Sequence, residues 1–311
     1  MTLRSTLLTF KIQRFETTVV IGAAILSVLV SAVVIGVFTA GGYARCATDE
    51  VLNSSSFCHT PVADYIERIA RLSAMIVPVF PVVAGLLIGG PIVARELESG
   101  TARLAWSLAP SRIRWFAQRV VPILLIAFVA GLAIGLTADA LTHMLRPSTD
   151  LDASFAGFRN RGLLVGVEVL LVASIALALG AILGRIVPTI VLSLLLIFAI
   201  GTAVDKLERG VLTSEAVLGD SSGFSFNDDN LYIDSRLRMP DGAIVTWEEM
   251  NARYPQYANG WDETSGISDI TLYIPGSRYH DVERREAFAL GSLALLFSGV
   301  AAVAVVRRRP R

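Results

Sequence analysis

The sequence predicts an all-α membrane protein with six transmembrane helices and a small α/β-type insertion between helices five and six. The first observation is composition: of 311 residues, 53% are hydrophobic and only 17% charged, whereas soluble domains average about a quarter charged. The second is a set of six long apolar runs, each able to cross roughly 30 Å of hydrocarbon at about 1.5 Å per residue. The third is a long polar segment, residues 205–286, between the last two runs. Together they exclude a soluble globular enzyme.

The chain begins with an alternation of apolar and basic residues. Over residues 1–17, leucine, isoleucine and phenylalanine side chains alternate with Arg4, Lys11 and Arg14. This spacing favours an amphipathic helix at the membrane surface, although a disordered start is the alternative. The uncharged run that follows is 23 residues long. The apolar region of a cleaved signal peptide has only about 7–15 residues, so we interpret this run as a retained span.

Two of the six runs contain helix-breaking residues. The second run has Pro78 and Pro81, which predict a kink at membrane depth. Only Arg185 separates the fourth run from the fifth, and Gly184 and Pro188 predict a tight hairpin there. The six predicted spans are Thr18–Ala40, Leu72–Ala94, Val120–Ala138, Gly162–Gly184, Ile186–Val204 and Ala287–Val306.

The polar segment is large enough to fold into a small subdomain of its own. Its residues Val245–Trp247 and Ile270–Ile274 have the composition of β-strands. We therefore expect three parts in the chain: residues 1–204 with the amphipathic start and spans one to five, residues 205–286, and residues 287–311 with span six and a basic tail.

The distribution of arginine predicts the orientation. With the amino terminus inside, the inner parts hold 13 basic and three acidic residues, and the outer parts hold 14 basic and 23 acidic residues. Short loops rich in Lys and Arg stay in the cytoplasm. Both termini are therefore expected in the cytoplasm, and residues 41–71 and 205–286 outside.

The two cysteines, Cys46 and Cys58, lie in the first outer loop. On an oxidising side of the membrane they are expected to form a disulfide, which would stabilise the fold by on the order of 3 kcal/mol. The alternative is a pair of free thiols.

Residues that would support catalysis on this chain are missing. His59, His143 and His280 lack the spacing of metal ligands, and neither Lys11 nor Lys206 belongs to a phosphate-binding loop. We expect no catalytic residue, cofactor or metal site on the chain, and no nucleic-acid partner. If ATP powers this protein, another chain must bind it.

Glu168 is the single ionisable residue inside a predicted span. A charged group at that depth is costly, and such residues often mark a substrate or proton pathway. The alternative is a structural pair near the outer interface with Arg159 or Arg161.

The residues Pro91–Arg119, here the central stretch, connect the second and third spans and carry most of the charge between them. Gly100 permits a sharp turn, and the hydroxyl of Thr101 can cap the helix that follows. Such an element is either a docking helix for a soluble partner or a solvated loop.

The sequence GGPIVARELESGTARLAWSLAPSRIRW in this stretch resembles the signature of ABC type-2 exporter permeases. The matching positions are Arg95-Glu96, Gly100-Thr101 and Pro110-Ser111, and the Leu-Ala-Trp form is similar to an actinobacterial group. Two more stretches, GAILGRIVPTIVLSL and LYIPGSRYHDVERREAFAL, resemble that group. His280-Asp281 departs from it, because the group usually has a second aromatic residue there.

The resemblance implies a subunit of the bacterial plasma membrane that exports a hydrophobic or amphipathic substrate, such as a lipid, an antibiotic or a peptide. Its implied partners are an ATP-binding subunit carrying ATP and Mg²⁺, a second permease chain, identical or different, and membrane lipids. The residues implied to couple to the ATPase are Arg95, Glu96, Gly100, Thr101, Arg103, Pro110 and Arg114.

Two other functions remain open from the sequence. One is an ATP-independent channel or proton-coupled transporter that uses Glu168. The other is a non-transporting membrane sensor whose outer segment binds a ligand.

Overall fold

The computed structural model describes residues 14–43, 60–102, 106–107, 111–147, 149–220, 229–257 and 266–308. They form two compact units. The first comprises the described residues within Met1–Ser148, Gly157–Ile200 and Glu283–Arg311, and the second comprises those within Thr149–Ala156 and Gly201–Val282. Most of the predicted amphipathic start and both cysteines of the predicted disulfide lie outside the described residues.

The described helices include six that are long and apolar enough to cross a membrane, which confirms the predicted number. They are α1, α3, α4, α5, α6 and α8; α2 and α7 are shorter. The helices are α1 (Arg14–Ala40), α2 (Pro61–Ile76), α3 (Phe80–Glu98), α4 (Arg112–Leu145), α5 (Gly162–Leu183), α6 (Ile186–Glu215), α7 (Trp247–Arg253) and α8 (Tyr279–Arg307).

The predicted second span, Leu72–Ala94, is divided between two helices. Helix α2 ends at Ile76 and α3 begins at Phe80, with Pro78 in the turn between them. A proline has no backbone N–H and its ring clashes with the preceding turn, so this proline-containing segment breaks the helix instead of bending it. Helix α2 itself was missed, because it is amphipathic and lies in a segment interpreted as a loop. The hydroxyl of Thr60 caps it, accepting from the amide of Ala63 at 3.3 Å.

Helix α5 is the most buried of the six long helices. Glycines four residues apart allow α3 and α4 to pack closely against it. A Cβ at Gly85 or Gly89 of α3 would overlap Val172 or Ala173, and a Cβ at Gly131 of α4 would lie 2.8 Å from the side chain of Val169. Small residues at this spacing are the usual way for helices to approach closely in a membrane. The first unit is therefore built around α5.

The predicted hairpin between the fourth and fifth spans is confirmed. Gly184 ends α5 in the left-handed conformation with φ +66°, and Pro188 lies in the first turn of α6. Glycine adopts this conformation without a steric penalty, and proline is tolerated where its missing N–H would have no helical partner.

The second unit contains a four-stranded antiparallel sheet with strand order β1-β4-β2-β3. The predicted β-type segments correspond to β3 and β4, except that Trp247 begins α7. Strands β1 and β2 were missed. The strands are β1 (Val217–Asp220), β2 (Leu231–Arg238), β3 (Ile244–Val245) and β4 (Ser268–Ile274).

Candidate functional site

The end of α3 is joined to α1 and α4 by two ion pairs. Arg95 pairs with Glu16 of α1, and Glu96 pairs with Arg119 of α4. We call these four residues the charged cluster. Successive residues of a helix point about 100° apart, and for this reason the neighbours Arg95 and Glu96 reach different helices.

The carboxylates of the charged cluster are buried. Glu16 is 5% exposed and Glu96 is 8% exposed. The second carboxylate oxygen of each is buried and has no hydrogen-bond partner among the described residues. The guanidinium of Arg119 also lies over the ring of Trp115, 4.9 Å from its centroid. Removing one partner of a buried ion pair strands the other charge, so the cluster holds the three helices in one arrangement.

Gly100 forms a turn at the end of α3. Its φ is +73°, and the amide of Ser99 donates to the carbonyl of Arg95 at 3.0 Å. The hydroxyl of Thr101 lies 2.9 Å from that of Ser99. The amides that Thr101 is predicted to cap lie outside the described residues, and so do Arg103 and Pro110. Arg114 is exposed in the first turn of α4, whose amino end is capped by Ser111.

Arg112 connects the central stretch to the end of α8. Its guanidinium lies 4.7 Å from the ring centroid of Trp106, and its Nη1 donates to the carbonyls of Val306 at 3.1 Å and Arg308 at 2.6 Å. The last carbonyls of a helix have no partner within the helix, and an arginine satisfies them well.

Arg308 extends this connection to the end of α5. Its Nη1 donates to the carbonyl of Ala181 at 2.8 Å and lies 3.4 Å from that of Ile182. The name clasp is used below for Arg112, Arg308 and the carbonyl groups that accept hydrogen bonds from these two arginines. In addition, the carboxylate of Glu98 accepts from the amide of Ile186 at 3.0 Å, at the start of α6.

The central stretch thus contacts, directly or through one arginine, an end of every long helix. Of the predicted coupling residues, Arg95 and Glu96 belong to the charged cluster. Sequence reasoning did not single out Glu16, Glu98, Arg112, Arg119 or Arg308 as bridging residues. The sequence does show a run of arginines after the last span. No local pattern in that run identifies which arginine turns back toward α5.

A second group of ion pairs lies in the first unit. The guanidinium of Arg159 donates to Glu286 at 2.5 Å, and the guanidinium of Arg161 donates to Asp139 at 3.3 Å. Glu168 lies in α5 and is partly buried. These contacts test neither its role in a pathway nor its pairing with Arg159 or Arg161, and both stay predictions.

In the second unit, Asp241 accepts two hydrogen bonds. The amide of Ala243 donates to one oxygen and the hydroxyl of Tyr254 donates to the other, each at 2.9 Å. These donors favour the charged form, and the amide first and then the hydroxyl lower the pKa of Asp241 below its ordinary value.

A family model described as ABC-2 membrane transporter related matches residues 16–209, which is more than half of the chain. The chain belongs to this family. Membership in the ABC-2 family makes it a permease, the membrane component of an ABC transporter, and confirms that part of the resemblance. The matched range contains the charged cluster, the central stretch and the part of α5 that Arg308 contacts. Searches of the curated proteins and of the solved structures found no match.

Proposed function

We propose that the chain is the transmembrane permease subunit of an ATP-driven exporter, whose ATP is hydrolysed by a separate nucleotide-binding subunit. The exported substrate is hydrophobic or amphipathic, of the class that includes lipids, antibiotics and peptides. Family membership supports the permease role. The observation that carries the coupling role is the set of contacts from the central stretch to the ends of the long helices.

In the proposed mechanism, the central stretch receives the force. Closure of the ATP-binding subunits on ATP and Mg²⁺ pushes the segment between α3 and α4, which faces the cytoplasm. The buried pairs of the charged cluster resist separation, so α1, α3 and α4 move together. The clasp and Glu98 extend the movement to α5, α6 and α8. A second permease chain, identical or different, completes the pathway, and the second unit lies on the outer side.

The test is copurification with an ATPase from cells that express the tagged full-length chain. Gly100→Val strains a turn with φ +73°, and Gly242→Val makes the same change in the second unit at φ +84°; neither added Cβ meets an atom within 4 Å. We expect Gly100→Val to lose the ATPase and Gly242→Val to keep it. Export by the purified chain in liposomes without any ATPase would overturn the proposal.

A second candidate function uses Glu168 in a proton-coupled transporter. The observation that favours it is a partly buried acidic side chain within α5, the most buried of the six long helices. Under this second proposal, the unchanged protein transports substrate in liposomes that contain no ATPase, and Glu168→Gln abolishes that transport. Under the first proposal, neither the unchanged protein nor Glu168→Gln transports substrate in such liposomes.

A further inference from the structure

An apolar groove lies between α1 and α4. Its volume is about 440 Å³, within the range of roughly 300–1,000 Å³ that is usual for small-molecule sites. Ala24 and Ala130 are buried and form its floor. All lining side chains are aliphatic. The walls include Ile21, Ile25, Val28, Leu125, Ile126 and Val129.

The groove lies at membrane depth. Ile21 and Leu29 follow Arg14 by seven and 15 residues, which places the lining about 10 to 22 Å along the helix from that charge. With Arg14 at the headgroup level, this range falls within the hydrocarbon core, which is about 30 Å thick. Water would find no hydrogen-bond partner on such a lining, so the occupant must be a hydrocarbon.

The lining differs from the closest approaches between the described helices. Those approaches use glycines, as between α3 and α5, or paired hydroxyls, as between Ser174 and Ser298 at 3.1 Å. Helix association in membranes depends on such small and polar residues. The groove lining contains neither a glycine nor a hydroxyl group, so it lacks both features that bring helices close together in a membrane.

Exposed arginines mark the charged end of the groove on both helices. Arg14 precedes Ile21, Ile25 and Val28 by seven, 11 and 14 residues, which is one face of α1. Arg114 precedes Leu125 and Val129 by 11 and 15 residues, which is one face of α4. Neither guanidinium has an ion-pair partner in the part of the chain that the structure describes. Long arginine side chains reach the headgroup level from such positions.

We infer that the groove binds one acyl chain of an anionic phospholipid, whose phosphate contacts Arg14 and Arg114. The acyl chain gains no hydrophobic energy by moving from the surrounding lipid into the groove, because both environments are equally apolar. Its preference for the groove therefore depends on the shape of the groove and on the charges of Arg14 and Arg114. The site requires no ATPase, so the inference does not rest on the proposed function, although the resemblance also implies Arg114 in coupling to the ATPase.

Binding can be measured on the purified full-length chain by native mass spectrometry. The probes are phosphatidylglycerol and phosphatidylcholine with the same acyl chains. We expect phosphatidylglycerol to bind at least tenfold more tightly, and Arg14→Ala with Arg114→Ala to remove that preference. Equal binding of the two lipids to the unchanged protein would overturn the inference.

The acyl-chain contact is tested with a matched pair on α4. Val129 and Leu136 are each 54% exposed, but only Val129 lines the groove. We expect Val129→Trp to weaken phosphatidylglycerol binding at least tenfold and Leu136→Trp to leave it unchanged. An effect of Val129→Trp on oligomer mass without an effect on lipid binding would identify a protein interface and overturn the inference.

A third measurement needs no substitution. Phosphatidylglycerol with a photoactivatable acyl chain is cross-linked to the unchanged protein in nanodiscs, and the labelled peptides are identified. Labelling concentrated in residues 21–29 and 125–133 supports the inference. Labelling spread equally over other exposed apolar surfaces, such as that of Phe198 on α6, contradicts it.

Discussion

Glu16 and Glu96 are the residues on which the packing of α1, α3 and α4 at the end of α3 depends most. Each is buried, and each has an arginine from another helix as its counter-charge. A buried ion pair gains little net stability over an apolar contact, because both groups lose their hydration. Once it is present, however, loss of one partner is costly. These pairs therefore select one packing of three helices.

A matched pair of substitutions tests the importance of burial. Glu96→Gln leaves Arg119 without its charge partner, and we expect a loss of about 3–5 kcal/mol in the free energy of unfolding. Glu67→Gln breaks the pair with Arg71 on α2, whose side chains are 48% and 70% exposed. For that exposed pair we expect a loss of at most about 1 kcal/mol. Denaturant unfolding in detergent micelles measures both.

If Glu96→Gln and Glu67→Gln lower the free energy of unfolding by the same small amount, the Glu96–Arg119 pair does not hold α3 to α4. The charged cluster would then have no mechanical role.

Among the elements, α5 and α8 depend on side chains for the satisfaction of their last carbonyls. Arg112 serves the end of α8, and Arg308, the residue that follows α8, serves the end of α5. Gly184 is part of this arrangement, because a Cβ there would lie 2.7 Å from the guanidinium of Arg308. The clasp therefore makes the end of α5 sensitive to the position of α8.

Replacing Arg308 tests the clasp, and Arg307 supplies the control. Arg308→Ala removes a donor from the carbonyls of Ala181 and Ile182, so the last turn of α5 should fray. Arg307 is its exposed neighbour. We expect faster amide hydrogen exchange in residues 181–188 for Arg308→Ala, and no change for Arg307→Ala.

Arg112→Ala extends the test by one step. It releases the carbonyls of Val306 and Arg308 without touching α5 directly. Faster exchange at the end of α5 in this variant would show that the clasp transmits a change from the central stretch. Exchange that is altered only at the end of α8 would show that it does not.

The whole molecule is predicted to lie across the membrane with both termini inside and the second unit outside. The reason is the concentration of arginine in the short loops at one end of the spans. Family membership makes the chain a membrane permease but leaves this orientation as a prediction.

Cysteine labelling measures the orientation. In a background with Cys46 and Cys58 replaced by serine, Ala252→Cys in α7 and Arg307→Cys at the end of α8 introduce one exposed thiol each. We expect a membrane-impermeant maleimide to label Ala252→Cys on intact cells and Arg307→Cys only after permeabilisation. The reverse pattern would invert the topology and place the central stretch out of reach of ATP.

The sequence alone determined the class of the protein, the number of spans and the hairpin at Gly184–Pro188. These features depend on local properties: the length of an apolar run, the conformational freedom of glycine and the missing N–H of proline. The tertiary structure alone decided that α2 is separate from α3. It also decided that Glu96 pairs with Arg119 and that Arg112 reaches Arg308, 196 positions away. Such partners depend on how the helices pack around α5, which no local pattern encodes.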